Sequence, residues 1–391
     1  MRPESHRLVT RGRKIESQTV KLRPLQSTML AGLGVVASLF AVALQAAGAR
    51  ALNLDNQGTL ALALTVGTFL GQIVTAIVVE SRLATIGNHG SARTPYWVLV
   101  VVLAAAGTSI VVQTRETTVV AILTVLVGLT VSRASVVVNY QWQREIVASC
   151  LVVAAGLAVV SSASLFTGWA PVSFLCGGGA LAVIARSAYL SERLPAPRLA
   201  PMFWVTADTA MTGVTQPLIN SAILIYLGPA AAIAYRSAST VSAAVEPFIS
   251  YLRLRLLREH STSEMVTSFV LVVGAMVGAT VLDLLGLFDL VLASAWRNVT
   301  LGTFLAALAA RAVTLLGTAS FAHLRREGYS KWAFVIRAVS TLQYVGLGLL
   351  GALTAGPLGV FLAFGIAELL NALYFRVAVA RLSKSVVGHR E

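Results

Sequence analysis

Apolar and polar positions along this chain come in long blocks rather than in alternation. Twelve apolar stretches of roughly twenty residues each run over 27–47, 58–79, 96–114, 117–138, 146–167, 171–190, 204–226, 230–251, 265–286, 300–321, 332–352 and 357–380. A helix rises about 1.5 Å per residue, so each stretch is long enough to cross about 30 Å of hydrocarbon. The pattern predicts an all-α integral membrane protein of about 12 transmembrane helices.

The loops between the blocks sort the basic residues by side. With the N-terminus in the cytoplasm, 22 Arg and Lys fall on the inner side, and only Arg50, Arg115 and Arg297 on the outer side. Arg133, Arg236, Arg311, Arg337 and Arg376 fall deeper within the spans. That asymmetry predicts a multi-pass protein with both termini cytoplasmic. The Arg-over-Lys usage, with Ala, Val and Leu dominant, reads as a GC-rich bacterial source. The bacterial cytoplasmic (inner) membrane is therefore the expected location.

Composition agrees with the pattern. The chain is 57% hydrophobic and 12% charged, whereas a soluble domain carries about a quarter charged residues. Its net charge of +14 lies mostly in inner loops, where it meets anionic lipid headgroups. No basic patch interleaved with aromatics points to nucleic acid. The polar, basic first 26 residues lead into an apolar run ending in Ala47, Gly48 and Ala49, which is too long for a signal-peptide core and reads as a retained first span. Cys150 and Cys176 both fall inside spans, so they imply neither a disulfide framework nor a metal site.

The blocks divide six and six. The expected organisation is a cytoplasmic basic tail at 1–26, an N-terminal six-helix lobe at 27–190, a cytoplasmic linker at 191–203, a C-terminal lobe at 204–380 and a tail at 381–391. Pro171 opens the sixth span and Pro357 the twelfth, at matching places in the two halves, where proline suits the first turn of a helix. Two parallel repeats imply lobes related by a pseudo-two-fold axis along the membrane normal, with a cavity between them.

Signatures of covalent chemistry are missing: there is no Gly-rich phosphate loop, no metal-spaced His and carboxylate cluster and no nucleophile elbow. Neither an enzyme nor a cofactor is expected. The informative residues are ionisable groups inside spans, each costing about 2.5–3.5 kcal/mol at mid-helix. Arg236, Arg311 and Arg337 are the candidate cationic cavity residues, because guanidinium stays charged and can bond two phosphate oxygens at once. Asp208, Glu246 and Glu368 are the candidate counter-ions, or carriers of an H⁺ or Na⁺ coupling ion. Helical spacing puts Thr68 and Gln72 on one polar face of span two, and Thr212, Gln216 and Asn220 on one of span seven. The structural alternative is that Arg311 pairs with Glu368, or Arg337 with Asp208, merely to hold helices together. Arg133 and Arg376 lie near enough to inner ends to snorkel, and Asp283 near enough to an outer end to cap or face water.

Leu227, Gly228, Pro229 and Tyr235 at the entry to span eight, Gly58 in the first half, and Pro357, Leu358, Gly359 and Val360 at span twelve carry a resemblance. They resemble the bacterial oligosaccharide flippases of the polysaccharide-biosynthesis type, in the superfamily with multidrug and toxin extruders. Ile233 and Leu60 depart from that pattern, standing where Gly and Tyr are usual. The resemblance implies an alternating-access membrane exporter whose substrate is a polyprenyl-diphosphate-linked glycan, working beside glycan assembly machinery. A drug or small-solute cation-coupled antiporter is the competing transport reading, although 80–95 lacks the Gly-x-x-x-Asp-Arg pattern of major-facilitator proteins. A membrane glycan polymerase or glycosyltransferase would need acidic residues gathered at an outer face, and Asp55, Glu116, Asp283 and Asp289 are scattered. A scaffold in cell-wall assembly would have little reason to keep charges inside its spans.

Overall fold

The computed structural model describes residues 29–30, 32–36, 38–81, 94–139, 141–187, 199–258, 262–327 and 329–387. The tail at 1–26 and most of the linker at 191–203 lie outside the described residues. Twelve helices follow one another: α1 (Gly32–Ala51), α2 (Leu54–Glu80), α3 (Tyr96–Val112), α4 (Arg115–Val138), α5 (Trp142–Ser162), α6 (Ala170–Ser187), α7 (Leu199–Gly213 and Thr215–Leu227), α8 (Pro229–Ser242 and Glu246–Arg258), α9 (Thr262–Leu284), α10 (Leu301–Val313 and Leu315–Arg326), α11 (330–354) and α12 (357–387). A short helix, Leu287–Leu292, not anticipated from the sequence, lies between α9 and α10.

Nine helical segments among the described residues are long and apolar enough to span a bilayer by length and composition alone. The other three spans have physical explanations. Helix α3 has 17 residues, about 25 Å, with Tyr96 and Trp97 exposed at one end where interfacial aromatics sit. Helix α8 is divided by a 3-10 turn at Ala243–Val245 just ahead of Pro247, which has no N–H to continue the ladder. Helices α11 and α12 run together as one long segment, broken only at Ala355 and Gly356 before Pro357. Gly356 sits at φ +60, a conformation that side-chain-bearing residues avoid.

The helix starts follow local chemistry. Pro229 occupies the first turn of α8 after Gly228 at φ +85, and Pro171 the first turn of α6. Thr114 caps α4 by accepting from Thr117 N, and Thr300 caps α10 by accepting from Thr303 N. These two caps are the same device at the fourth helix of each half.

One core joins α1 to α6 around Phe40, Leu64, Val125 and Leu175. A second joins α7, α8, α10, α11 and α12 around Ile219, Tyr235, Ala307 and Phe361. Packing order repeats between the two: α2 on α4 and α4 on α6 in one half, α8 on α10 and α10 on the α11–α12 segment in the other. The result is two six-helix lobes related by a pseudo-two-fold axis. They meet where α2 packs on α7 and α8, and where Val35, Val42 and Ala46 of α1 join the apolar cluster of α8 and α10.

Ser and Thr hydroxyls within the helices mostly donate to their own backbone one turn back, as Thr65 does to Ala61 O and Thr68 to Leu64 O. No outside partner is then needed in a medium without water.

Gly351 and Gly359 face each other across the α11–α12 hairpin so closely that a Cβ on either would overlap the other's carbonyl. Gly359→Val should therefore cost about 1–3 kcal/mol of packing. Size-exclusion of the detergent-extracted protein should show a smaller monodisperse fraction than Gly346→Val, where a Cβ meets open space.

Candidate functional site

The first segment of α8 is buried from Ala232 to Ser242, and Arg236 lies in its middle at 6% exposure. Among the described residues Arg236 has no ion pair or hydrogen bond, and its Nε is left without a partner. Tyr235 stacks on Phe361 of α12, with ring centroids 5.1 Å apart, and its hydroxyl is likewise unpartnered. Arg311 of α10 lies within electrostatic reach of both Tyr235 and Arg236. It donates from Nη1 to Glu246 Oε2 at 2.7 Å and from Nη2 to Ser239 Oγ at 3.4 Å. Ser239 in turn donates to Gln216 Oε1 of α7 at 3.4 Å. Two neighbouring guanidiniums thus have one paired carboxylate between them.

The third predicted arginine joins this group at one remove. Arg337 of α11 lies over the rings of Phe321, at 4.8 Å, and Phe375, at 5.3 Å, a cation–π seat rather than a salt bridge. Tyr344 lies within electrostatic reach of Arg337, Arg311 and Glu368 together. Glu368 has no cationic partner among the described residues. It accepts from Asn371 Nδ2 at 3.4 Å, and Asn371 Oδ1 accepts from Ser340 at 2.8 Å.

The pairings expected as a structural alternative are not the ones formed. Arg311 pairs with Glu246 instead of Glu368, and Asp208 with Arg325 instead of Arg337. Rotation of α8 and α10 about their own axes brings Glu246 and Arg325 to those positions, and sequence depth alone cannot report rotation.

The predicted polar faces divide. Asn220 is buried and donates to Thr65 Oγ1 of α2 at 3.4 Å, across the lobe boundary. Gln72 sits against Gly213, where α7 is interrupted. Thr68 and Thr212 are satisfied within their own helices, Thr212 by Asp208 O at 2.9 Å. Gln45, Gln57 and Ser237 line a small cavity with Leu60, Ala61, Ile233 and Ala295, between α1, α2 and α8.

Two charge clusters went unrecognised in the sequence. In the first lobe Glu145 of α5 accepts both Nε and Nη2 of Arg186 at 2.8 and 2.9 Å, all of it buried. Arg133 joins at 3.6 Å and turns toward Glu145 instead of snorkelling; Arg376 is exposed. At the lobe boundary, Glu80 pairs with Arg253 of α8 and with Arg325 of α10 at 3.6 Å, and Arg325 also pairs with Asp208 of α7. Glu80 closes a π-helical turn, Ala76–Glu80, a distortion that often marks functional positions. The signal available was depth: Glu145 and Arg186 stand at the same level of adjacent antiparallel spans. On the opposite face Arg50 of α1 donates to the carbonyls of Leu290 and Val291, and Asp283 accepts from Trp296 Nε1 at 2.9 Å. The lobes are clasped on both faces. Among the described residues no group of three or more His, Cys, Asp or Glu stands together as a metal site.

Among solved structures, the chain is similar to a mutant of the Vibrio cholerae MATE transporter VcmN, with 15% identity, 95% of this chain and 98% of that chain covered, and a TM-score of 0.55. It is similar to a MATE structure in complex with Br-NRF, at 13% identity, 91% and 95% coverage and a TM-score of 0.54. It is also similar to the outward-facing conformation of a multidrug resistance MATE family transporter of the MOP superfamily, at 13% identity, 92% and 95% coverage and a TM-score of 0.53. At such identities the likeness is one of fold. No protein-family model matches the sequence, and no curated protein matches it.

Removing Glu145 leaves Arg186 and Arg133 without the carboxylate they share, at a cost of about 3–5 kcal/mol. Glu145→Ala should lower the melting temperature of the purified protein sharply, and Arg186→Ala should lower it less, because Arg133 still faces Glu145. Glu80→Gln should loosen the lobes on the arginine-rich face. Spin labels at Gln143 and Trp332 should then report a longer or broader distance distribution, and an unchanged one would mean that the cluster does not hold the lobes together.

Proposed function

We propose that this chain moves a lipid-linked, anionic glycan precursor of the polyprenyl-diphosphate class from the inner to the outer leaflet of the bacterial cytoplasmic membrane. The two lobes open alternately, with both termini inside and no covalent chemistry. The observation that carries the reading is Arg236, a buried guanidinium with no counter-ion among the described residues, beside Arg311, whose own guanidinium is paired with Glu246. Such an arrangement is costly unless an anion completes it, and a diphosphate offers the oxygens that guanidiniums bond best. Arg311 and Arg337 extend the cationic surface through Tyr344.

Coupling falls to Glu368. Asp208 and Glu246 already hold arginines, whereas Glu368 has no cationic partner among the described residues and accepts from the neutral Asn371 amide, which leaves it as the carboxylate for a coupling H⁺ or Na⁺. A cation-coupled drug or small-solute antiporter is the second reading, favoured by the multidrug MATE transporter among the proteins that share the fold. The excess of positive charge in the second lobe suits an anionic cargo better than a cationic drug.

The test is the sidedness of polyprenyl-diphosphate glycans in membranes from cells with and without the protein. Accumulation in the inner leaflet in its absence is the expected outcome, and an unchanged pool with normal surface glycan would favour the antiporter. Arg236→Gln should cut export per folded molecule by about tenfold or more, since a hydrogen bond to a charged group is worth about 1.5–3 kcal/mol. Glu368→Gln should slow export without lowering yield.

A further inference from the structure

Arg236, Arg311 and Arg337 all belong to the second lobe, so the proposed site lacks a cationic contact from the first. We infer that Arg133 of α4 supplies it, as a binding residue for the diphosphate of the transported headgroup at the seam between α1 and α8. This rests on the anionic-headgroup reading above.

Geometry places the side chain there. The guanidinium of Arg133 lies over Gly34 of α1, where a Cβ would overlap Nη2, come within 2.7 Å of Cζ and stand 2.8 Å from Pro247 Cβ of α8. Gly34 is therefore the gap through which a first-lobe arginine reaches the second lobe. Pro247 follows Glu246, the partner of Arg311, so the seam adjoins the site already described.

Charge leaves Arg133 available. Glu145 gives both oxygens to Arg186, at 2.8 and 2.9 Å, while Arg133 Nε stands 3.6 Å from Glu145 Oε1 and has no hydrogen-bond partner. Two arginines share one carboxylate in a buried setting, which leaves one positive charge unbalanced. The Arg133 side chain is 24% exposed where its two neighbours are 1% and 0% exposed, so it is the accessible member of the three. Its planar fork suits two oxygens of a phosphate group.

The probe is farnesyl diphosphate, with uncharged farnesol as its control, titrated against the purified full-length protein in neutral detergent. Wild type should bind the diphosphate more tightly than the alcohol. Arg133→Gln should weaken diphosphate binding by about tenfold or more and leave farnesol unchanged, because a charge-assisted hydrogen bond is lost. Arg133→Lys should recover part of the affinity, and Gly34→Ala should weaken binding by displacing the guanidinium with no change of charge. A lower melting temperature for Arg133→Gln with wild-type diphosphate affinity would make the residue purely structural and overturn the inference. So would displacement of the probe by phosphatidylglycerol at equal concentration, which would make the occupant an ordinary bilayer lipid. If Arg236→Gln weakens binding and Arg133→Gln does not, this inference fails and the proposed function stands. If wild type does not distinguish diphosphate from alcohol, the proposed function itself fails.

Discussion

A charge inside hydrocarbon has no water to face, so each guanidinium and carboxylate on a membrane helix must meet a partner on another helix or remain costly. In this protein that constraint sorts the buried charges into three groups. Glu145 and Arg186 satisfy each other and tie α5 to α6 within the first lobe. Glu80, Arg253, Arg325 and Asp208 satisfy one another across the lobe boundary. Around Arg236 the balance fails, because Glu246 is paired with Arg311 and no carboxylate among the described residues pairs with Arg236.

The helices themselves were legible in the sequence for a simple reason. Hydrocarbon demands length and apolarity from a span whatever its neighbours are, so blocks of apolar residues report helices directly. Proline fixes the starts of α6, α8 and α12, and those ends could be read as well. The interruption of α8 at Ala243–Val245, the break of α7 beside Gly213 and the short helix Leu287–Leu292 were not anticipated. The break of α7 goes with the close approach of Gly213 to Phe69 and Gln72 of α2, which no local pattern reports, whereas the α8 interruption has a local signal in Pro247.

The candidate site was half legible. Depth within a span singled out Arg311 and Glu368 near mid-span, with Arg236 toward an outer end and Arg337 toward an inner one, since a charge inside an apolar block stands out in any sequence. Partner choice was not available, because helices can turn about their axes without changing the depth of any residue. Glu80 and Glu145 lie near the ends of their spans, where carboxylates are ordinary, and only their pairing on adjacent helices marks them. Gly34 gave no signal at all, since its role is to leave room for a side chain far along the chain, that of Arg133.

The two clasps differ in chemistry, and the difference bears on direction. Arg50 holds its face through the carbonyls of Leu290 and Val291, neutral acceptors at the end of a short helix. Glu80 holds the arginine-rich face through two guanidiniums. Separating the lobes there strips Arg253 of its only carboxylate partner among the described residues, while Arg325 retains Asp208. On the proposed function, opening the arginine-rich face uncovers the Arg253 guanidinium for an anionic headgroup at the moment it can enter. On the same reading, closing restores Glu80 to Arg253 and leaves the cargo to the guanidiniums deeper in the second lobe. Opening of the Arg50 face frees that guanidinium too, but as one cation against Arg253 and Arg325 on the other face, so on the proposed function the pull on an anion is weaker at the exit.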